Sequence, residues 1–564
     1  MQQRAEAFKS GNATAYKLSR YSLERSIKAA KQAYGAKIEG HFIEGDPRRM
    51  WQGLNAITAW KPKGGSMINV DPSLPNELNE FYCRLEIENV EPVVFPVCNE
   101  QCFTIIQEDV QRLLSRTKVR KAPGPDCIPP RVLKLCSEQL APVLTDLFNM
   151  SLRKCTVPVS FKRSLIIPVP KKTPVTCLND YRPVALTSVL MKTFERLVLD
   201  FIRDQIPMSV DPLQFAYRKN RSVEDAISFA LNSVYKHLDE RKAYARMLFI
   251  DYSSAFNSMV PTRLIEKLKC LGLCDAICNW IFNFLTCRPQ RVKINGCISD
   301  ELFVSTGSPQ GCILSPLLFT LYTHDLVASH DKNVIIKYAD DTTIIGLISS
   351  NDESHYRVEV ENVVQWSREN NLLLNTSKTC ELVIDFCHNR NQLPITIHDS
   401  DVQIVEKCKF LGVTLSHDLN WSSNTMNTAK KARQRLFFLR RLREFTKNTR
   451  ILLNFYHCVI ESVLTSCITV WFGNLTLKEK KALNRVVRSA SRTIGCTLPL
   501  LEAIYKARLL NRALQLANDA SGHPAKALFE MLPSGRRYRS VICSTDRHLN
   551  SFFPQAVITL NKAP

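Results

Sequence analysis

The hydrophobic and polar pattern is most informative around residue 340. An apolar run, Val334-Ile335-Ile336, leads into Tyr338-Ala339-Asp340-Asp341-Thr342-Thr343, and Ile344-Ile345 follows. This predicts a strand, a tight turn and a second strand, with two adjacent carboxylates at the tip. Another β-rich run, Met247-Leu248-Phe249-Ile250, ends at Asp251 and gives way to small polar residues. Asp251 is therefore expected at a strand end. Neighbouring acids repel, and burying them is costly unless cations sit between them. For an isolated Asp-Asp pair the plain alternative is a solvated turn. With Asp251 as a third member, the set matches what a two-metal phosphoryl-transfer site requires.

Helical periodicity appears elsewhere. Leu314, Leu317, Leu318 and Leu321 follow Pro309-Gln310-Gly311, which predicts a turn and then an apolar helix. In Ala429–Arg443, Leu436, Leu439 and Leu442 recur near helical spacing among Lys and Arg. One face can pack while the basic face meets solvent or a polyanion. The first 63 or so residues are basic and helix-prone, exemplified by Arg20 to Lys31. Residues 64–112 change character, with Pro72, Pro75, Pro92 and Pro96 among many Glu, and read as a connecting segment with short helices. The apolar stretch Val459–Phe472 is interrupted by Glu461, Ser and Thr, so no membrane-spanning helix is expected.

Composition narrows the class. The chain has 564 residues, 45% of them hydrophobic, enough for several domains with a large core. Lys plus Arg number 75 against 53 Asp plus Glu, a formal charge of +22, which favours a polyanionic partner over a merely soluble basic surface. The 20 cysteines include no Cys-x-x-Cys pair, so the usual zinc spacing is missing. Cys98 with Cys102, and Cys270, Cys274 and Cys278, are the closest groupings. The second set is expected along one helix face, and free, largely buried thiols are the simplest expectation.

The motifs also carry a resemblance. Lys121-Ala122-Pro123-Gly124-Pro125-Asp126, Ile167–Lys172, Asn179–Val184, Leu248–Ser258, Gly307–Pro316, Tyr338–Thr342, Leu373–Thr379 and Phe410-Leu411-Gly412-Val413 occur in the order found in reverse transcriptases. The chain resembles the reverse transcriptase region of a non-LTR retrotransposon (a long interspersed element, jockey-like). That resemblance implies an α+β fold: a right-hand polymerase of fingers, palm and thumb, with a helical N-terminal extension and a helical C-terminal region. The implied boundaries are 1–112 for the extension, 113–240 for fingers, 241–395 for palm, 396–480 for primer grip and thumb, and 481–564 for the tail.

It further implies RNA-directed DNA synthesis on an RNA template from a DNA primer and dNTPs. Two Mg²⁺ ions, with Mn²⁺ as a substitute, would be held by Asp251, Asp340 and Asp341. Lys378 resembles the lysine that protonates leaving pyrophosphate. Phe256 resembles the steric gate against a ribose 2′-hydroxyl, with Tyr252 beside Asp251. Gln310 and Gly311 would border the nascent base pair, and Arg182 and Lys171 would grip the triphosphate. Asn257 stands where many relatives carry Asp. The basic helix and Leu532–Arg539 suit nucleic-acid contact. Action in the nucleus or a cytoplasmic ribonucleoprotein is implied, not secretion. The sequence is expected to lack the upstream endonuclease of mobile relatives. Competing expectations are a non-catalytic RNA-binding relic and a maturase-like or telomerase-like polymerase.

Overall fold

A computed structural model describes residues 2–58, 71–86, 103–172, 174–207, 209–386 and 392–562. The Cys98 and Cys102 grouping lies outside the described residues. The chain divides into two units: Gly65–Leu411 with Gln515–His548, and Met1–Gly64 with Gly412–Leu514 and Leu549–Pro564.

The first unit is mixed α/β. Its strands include β1 (Ser164–Pro170), β2 (Tyr181–Thr187), β3 (Ala243–Ile250), β4 (Arg288–Ile294), β5 (Cys297–Ile298), β6 (Leu302–Val304), β7 (Asn333–Tyr338), β8 (Asp341–Ser349) and β9 (Cys380–Ile384). One sheet has the order β2-β1-β4-β5, with β6 also on β4; β1 and β4 run parallel. The other runs from Gln403–Ile404 through β9, β3 and β8 to β7, and its pairs β9–β3, β3–β8 and β8–β7 are antiparallel. β3 is central and buried along nearly its whole length. That explains why its sequence is a continuous apolar run rather than an alternation.

Helices Val223–Leu238 and Ser354–Glu369 pack against this sheet. The Tyr356 ring lies on Gly346 so closely that a Cβ there would fall 2.4 Å from it. Farther out, Phe148 stacks on Phe194 with centroids 4.3 Å apart, and Trp280 packs edge-on to Phe194 at 4.9 Å. All three rings are fully buried, and each contributes about 2–3 kcal/mol by leaving water. At the heart of the sheet Arg246 is also fully buried. Its guanidinium makes a two-pronged contact with Glu381 at 2.8 and 2.6 Å.

Cys270, Cys274 and Cys278 do not share one helix face. Helix Pro261–Cys270 stops at Gly272, whose φ of +88° ends the turn; Cys274 caps the next helix, Asp275–Leu285, and Cys278 lies inside it. Nor are the thiols largely buried. Cys278 and Cys312 are, whereas Cys127, Cys177, Cys270, Cys287, Cys297 and Cys458 are exposed, and Cys274 is disulfide-bonded.

The second unit is predominantly helical. Helix Ala13–Ile43 starts where the Asn12 side chain accepts hydrogen bonds from Thr14 and Ala15 N–H. Gly35 lets that helix touch the Phe445 carbonyl, where a Cβ would fall 2.0 Å from the oxygen. Helix Ser422–Arg443 buries Ala429, Ala432, Leu436, Leu439 and Leu442 and exposes Lys430, Lys431, Arg433, Arg440 and Arg441. It packs on helix Leu477–Ile494, which exposes Lys481, Arg485, Arg488 and Arg492. Among the described residues no helix is long and apolar enough to cross a membrane.

Candidate active site

The register of β3 against β8 brings the acids together. Ile250 pairs with Thr342, so Asp251, one step beyond Ile250, meets Asp341, one step before Thr342. Tyr338 pairs with Asp341 to close the β7–β8 hairpin over Ala339 and Asp340. Ala339 takes a left-handed φ of +60°, an uncommon conformation for a residue with a side chain. The segment after β3 is splinted by Leu373–Thr379. Asn375 N–H donates to the Asp251 carbonyl at 2.8 Å, Ser253 N–H to the Leu373 carbonyl at 2.8 Å, and Asp251 N–H reaches Thr379 Oγ1 at 3.4 Å.

The three carboxylates strain one another. Asp341 is pushed up to about 6, first by loss of solvent and then by the charges of Asp340 and Asp251. Asp340 is raised by the same loss of solvent and by Asp251, with Arg182 acting the other way. Asp251 Oδ2 is buried and accepts no hydrogen bond among the described residues; the nearest cation is Lys378 Nζ at 3.5 Å. Hard oxygen donors that resist sharing negative charge fit a divalent cation such as Mg²⁺. Among the described residues no group of three His, Cys, Asp or Glu side chains is placed so that it could hold a metal ion. A pair of carboxylates whose remaining ligands come from water and substrate phosphate is the arrangement that suits Mg²⁺.

Asp251 and Asp340 line a cavity of about 280 Å³, with Lys171, Arg182 and Arg84 also at its walls. Lys171 is fixed through its backbone N–H to the Asp180 carbonyl at 2.7 Å and through Nζ to the Asn179 carbonyl at 2.8 Å. Burial lowers the pKa of its ammonium, and the charges of Lys378 and Arg182 add to this. The loop holding it is locked by Asp180, which accepts from Thr176 and Cys177 N–H and pairs with Lys172. These contacts, the Thr176 bond foremost, hold the Asp180 carboxyl well below the usual range. Arg182 stands on β2 opposite Val169.

The Phe256 ring stacks on Phe319 at 4.5 Å and borders the same cavity. Ser308 N–H donates to the Phe256 carbonyl at 2.7 Å, and Ala185 N–H to the Gln310 carbonyl at 2.7 Å. Gly311, with φ of +134°, comes so close to Ala185 that a Cβ would lie 2.4 Å from its carbonyl oxygen; only glycine fits. Phe256 and Gln310 are thus brought to one wall. Tyr252 lines the cavity too, but its ring is buried and its hydroxyl meets Ser367 at 3.3 Å, so the side chain is committed to the core.

Arg84 and Phe81 were not among the residues that the sequence singles out. Helix Leu74–Cys83 docks on β4: Asn79 donates to Ser299 Oγ and the Asp300 carbonyl and accepts from Gln290. The next residue, Arg84, lies 3.7 Å over the Phe81 ring at the cavity wall. The helical spacing of Leu74, Leu78 and Tyr82 fits the short helices expected in this segment, but nothing in that spacing marks Arg84 or Phe81 as facing the cavity.

Residues 169–415 match the family described as reverse transcriptase (RNA-dependent DNA polymerase). A further family profile, described as alkylated DNA repair protein alkB homolog 8, N-terminal, matches residues 421–462. The chain thus carries a reverse transcriptase domain. It is homologous to the RNA-directed DNA polymerases of non-LTR retrotransposons. It is 26% identical over 482 residues to the RNA-directed DNA polymerase from mobile element jockey of Drosophila funebris, covering 80% of this chain and 51% of that protein. For the jockey protein of Drosophila melanogaster the identity is 25% over 401 residues, 69% of this chain and 43% of the relative. For the probable RNA-directed DNA polymerase from transposon X-element of Drosophila melanogaster it is 26% over 341 residues, 58% and 37%. The chain spans about half or less of the length of these relatives.

Proposed function

We propose that the protein is an RNA-directed DNA polymerase. A primer 3′-oxygen attacks the α-phosphorus of a dNTP, forming one P–O bond while the bond to pyrophosphate breaks. The observation that carries this is the meeting of Asp251 with Asp340 and Asp341 at one sheet end, where Asp251 and Asp340 line a cavity that Arg84, Lys171, Arg182 and Lys378 also line. Asp251 and Asp340 would hold two Mg²⁺ ions, or Mn²⁺ in their place, with Asp341 adding charge or a ligand. When bound, the metals favour the deprotonated 3′-hydroxyl and offset charge on the leaving oxygens.

The remaining roles are those the resemblance implies, and the chemistry at the walls supports them. Arg182 offers a planar fork and Lys171 a point charge to the triphosphate. Lys378 is the proton donor to pyrophosphate. The Phe256 ring fills the space a 2′-hydroxyl would need, so the product is DNA. Gln310 and the Gly311 backbone lie against the nascent base pair, and Tyr252 contributes only the edge it presents to the cavity.

In this reading residues 113–240 are fingers, 241–395 palm, 396–480 primer grip and thumb, and 481–564 the tail, after the linker 1–112. The basic faces of Ser422–Arg443 and Leu477–Ile494 follow the template–primer backbone, as do the exposed Arg536, Arg537 and Arg539. Such a protein acts in the nucleus or in a cytoplasmic ribonucleoprotein. The test is extension of oligo(dT) on poly(rA) with Mg²⁺ and dTTP. Extension supports the reading. A folded protein that binds RNA without extending the primer would instead be a non-catalytic relic.

A further inference from the structure

We infer that Gln214 is the positioning residue that holds the Ala339 turn, and with it Asp340 and Asp341, in metal-binding geometry; this rests on the polymerase reading above. β7 is an edge strand of its sheet. Its outer edge is taken by Leu213–Phe215. Lys337 N–H donates to the Leu213 carbonyl at 3.0 Å, and Phe215 N–H to the Lys337 carbonyl at 2.9 Å. Between them Gln214 is completely buried, and its Oε1 accepts from Ala339 N–H at 3.1 Å and from Ala216 N–H at 3.0 Å.

Two backbone donors fix which end of the amide is oxygen. The other end has a cost: Gln214 Nε2 is buried with no hydrogen-bond partner among the described residues. An apolar side chain of the same size would remove that unpaired donor but strand the Ala216 and Ala339 N–H groups instead. What the glutamine supplies is an acceptor at the one strained residue between Tyr338 and the acid pair. A left-handed Ala persists only where its surroundings over-determine it.

The anchor is itself pinned. Arg221 Nη1 donates to the Gln214 carbonyl at 2.8 Å, and Gln214 N–H reaches the Asp211 carbonyl at 3.2 Å. The Lys337 ammonium, fully buried, donates to the Thr323 and Leu326 carbonyls at 2.7 Å each and pairs with Asp211 at 3.0 Å. Both the strand that delivers the acids and the segment that clamps it are thus tied to the same buried ion pair. Neither group touches the cavity, so Gln214 acts through the turn and not on substrate.

The test compares wild type, Gln214→Leu and Gln214→Glu by amide hydrogen exchange of the metal-free full chain and by primer extension. Gln214→Leu removes the acceptor; Gln214→Glu keeps it. In the leucine variant, peptides spanning residues 337–343 should exchange about tenfold faster, the loss of one hydrogen bond, with protection elsewhere unchanged. Its kcat should fall about 10- to 100-fold from misplaced acids, with the KM for template–primer unmoved. The glutamate variant should retain turn protection. Wild-type exchange at the turn in Gln214→Leu, or wild-type kcat, would overturn the inference. If the leucine variant loses protection throughout, the glutamate variant decides: lost turn protection in an otherwise protected chain overturns it. A wild type with a protected turn but no extension would sink the polymerase reading and leave the clamp standing.

Discussion

Lys378 Nζ stands 3.5 Å from Asp251 Oδ2, a carboxylate oxygen with no hydrogen bond among the described residues. The lysine side chain is 64% exposed, so the pair adds little to stability. In the polymerase reading proposed above, the pair parks a proton donor beside the acids. Lys378→Ala should lower the rate of single-nucleotide incorporation about 100-fold while the melting temperature hardly changes. Lys378→Arg, which keeps the charge but gives up its proton far less readily, should recover only a fraction of the rate.

The acid cluster predicts a pH dependence. In the metal-free protein Asp341 is raised from 3.8 to about 6. The stability its proton confers is full below pH 3.8 and lost as pH rises through about 6. At pH 7.5 the ionised cluster therefore works against folding. Asp341→Asn should melt higher than wild type there by about 1–2 °C, a small gain because the side chain is partly solvated, and equally near pH 4. Thermal melts without metal at both pH values check this. Loss of extension activity in the same variant would mark a site where charge is kept at the expense of stability.

Arg84 reaches the cavity from outside the segment that matches the reverse transcriptase family. If it faces the triphosphate, Arg84→Ala should raise the KM for dTTP about tenfold, the worth of one charge-assisted hydrogen bond, and leave kcat within about twofold. Steady-state kinetics at varied dTTP separates the two.

What could be seen in the sequence was local. The strand–turn–strand around Asp340 and Asp341, the strand end at Asp251 and the buried Leu436-Leu439-Leu442 face all follow from spacing along a few residues. Arg84 and Gln214 were hidden because their roles come from packing between distant segments: Asn79 against Ser299, and Gln214 against Ala339. The cysteines misled for the opposite reason. A spacing of four suggested one helix, but Gly272 ends the first helix between Cys270 and Cys274.

Arg246 and Glu381 are both wholly buried, and Tyr356 also donates to Glu381 at 2.5 Å. Truncating Arg246 leaves the buried Glu381 carboxylate without its cation, whereas truncating Glu381 leaves Arg246 its second carboxylate, Glu353, at 2.7 Å. Arg246→Ala should cost about 3–5 kcal/mol and Glu381→Ala less. Replacing both together by apolar residues of similar volume should cost much less. Urea denaturation of the three variants measures the difference.

Primer extension on poly(rA)–oligo(dT) with Mg²⁺ and dTTP, comparing wild type with Asp340→Ala combined with Asp341→Ala, decides whether these acids polymerise DNA. The wild type should extend the primer and the double variant should not, with both binding RNA alike. No extension by a folded, RNA-binding wild type, or equal extension by both proteins, would overturn the polymerase reading.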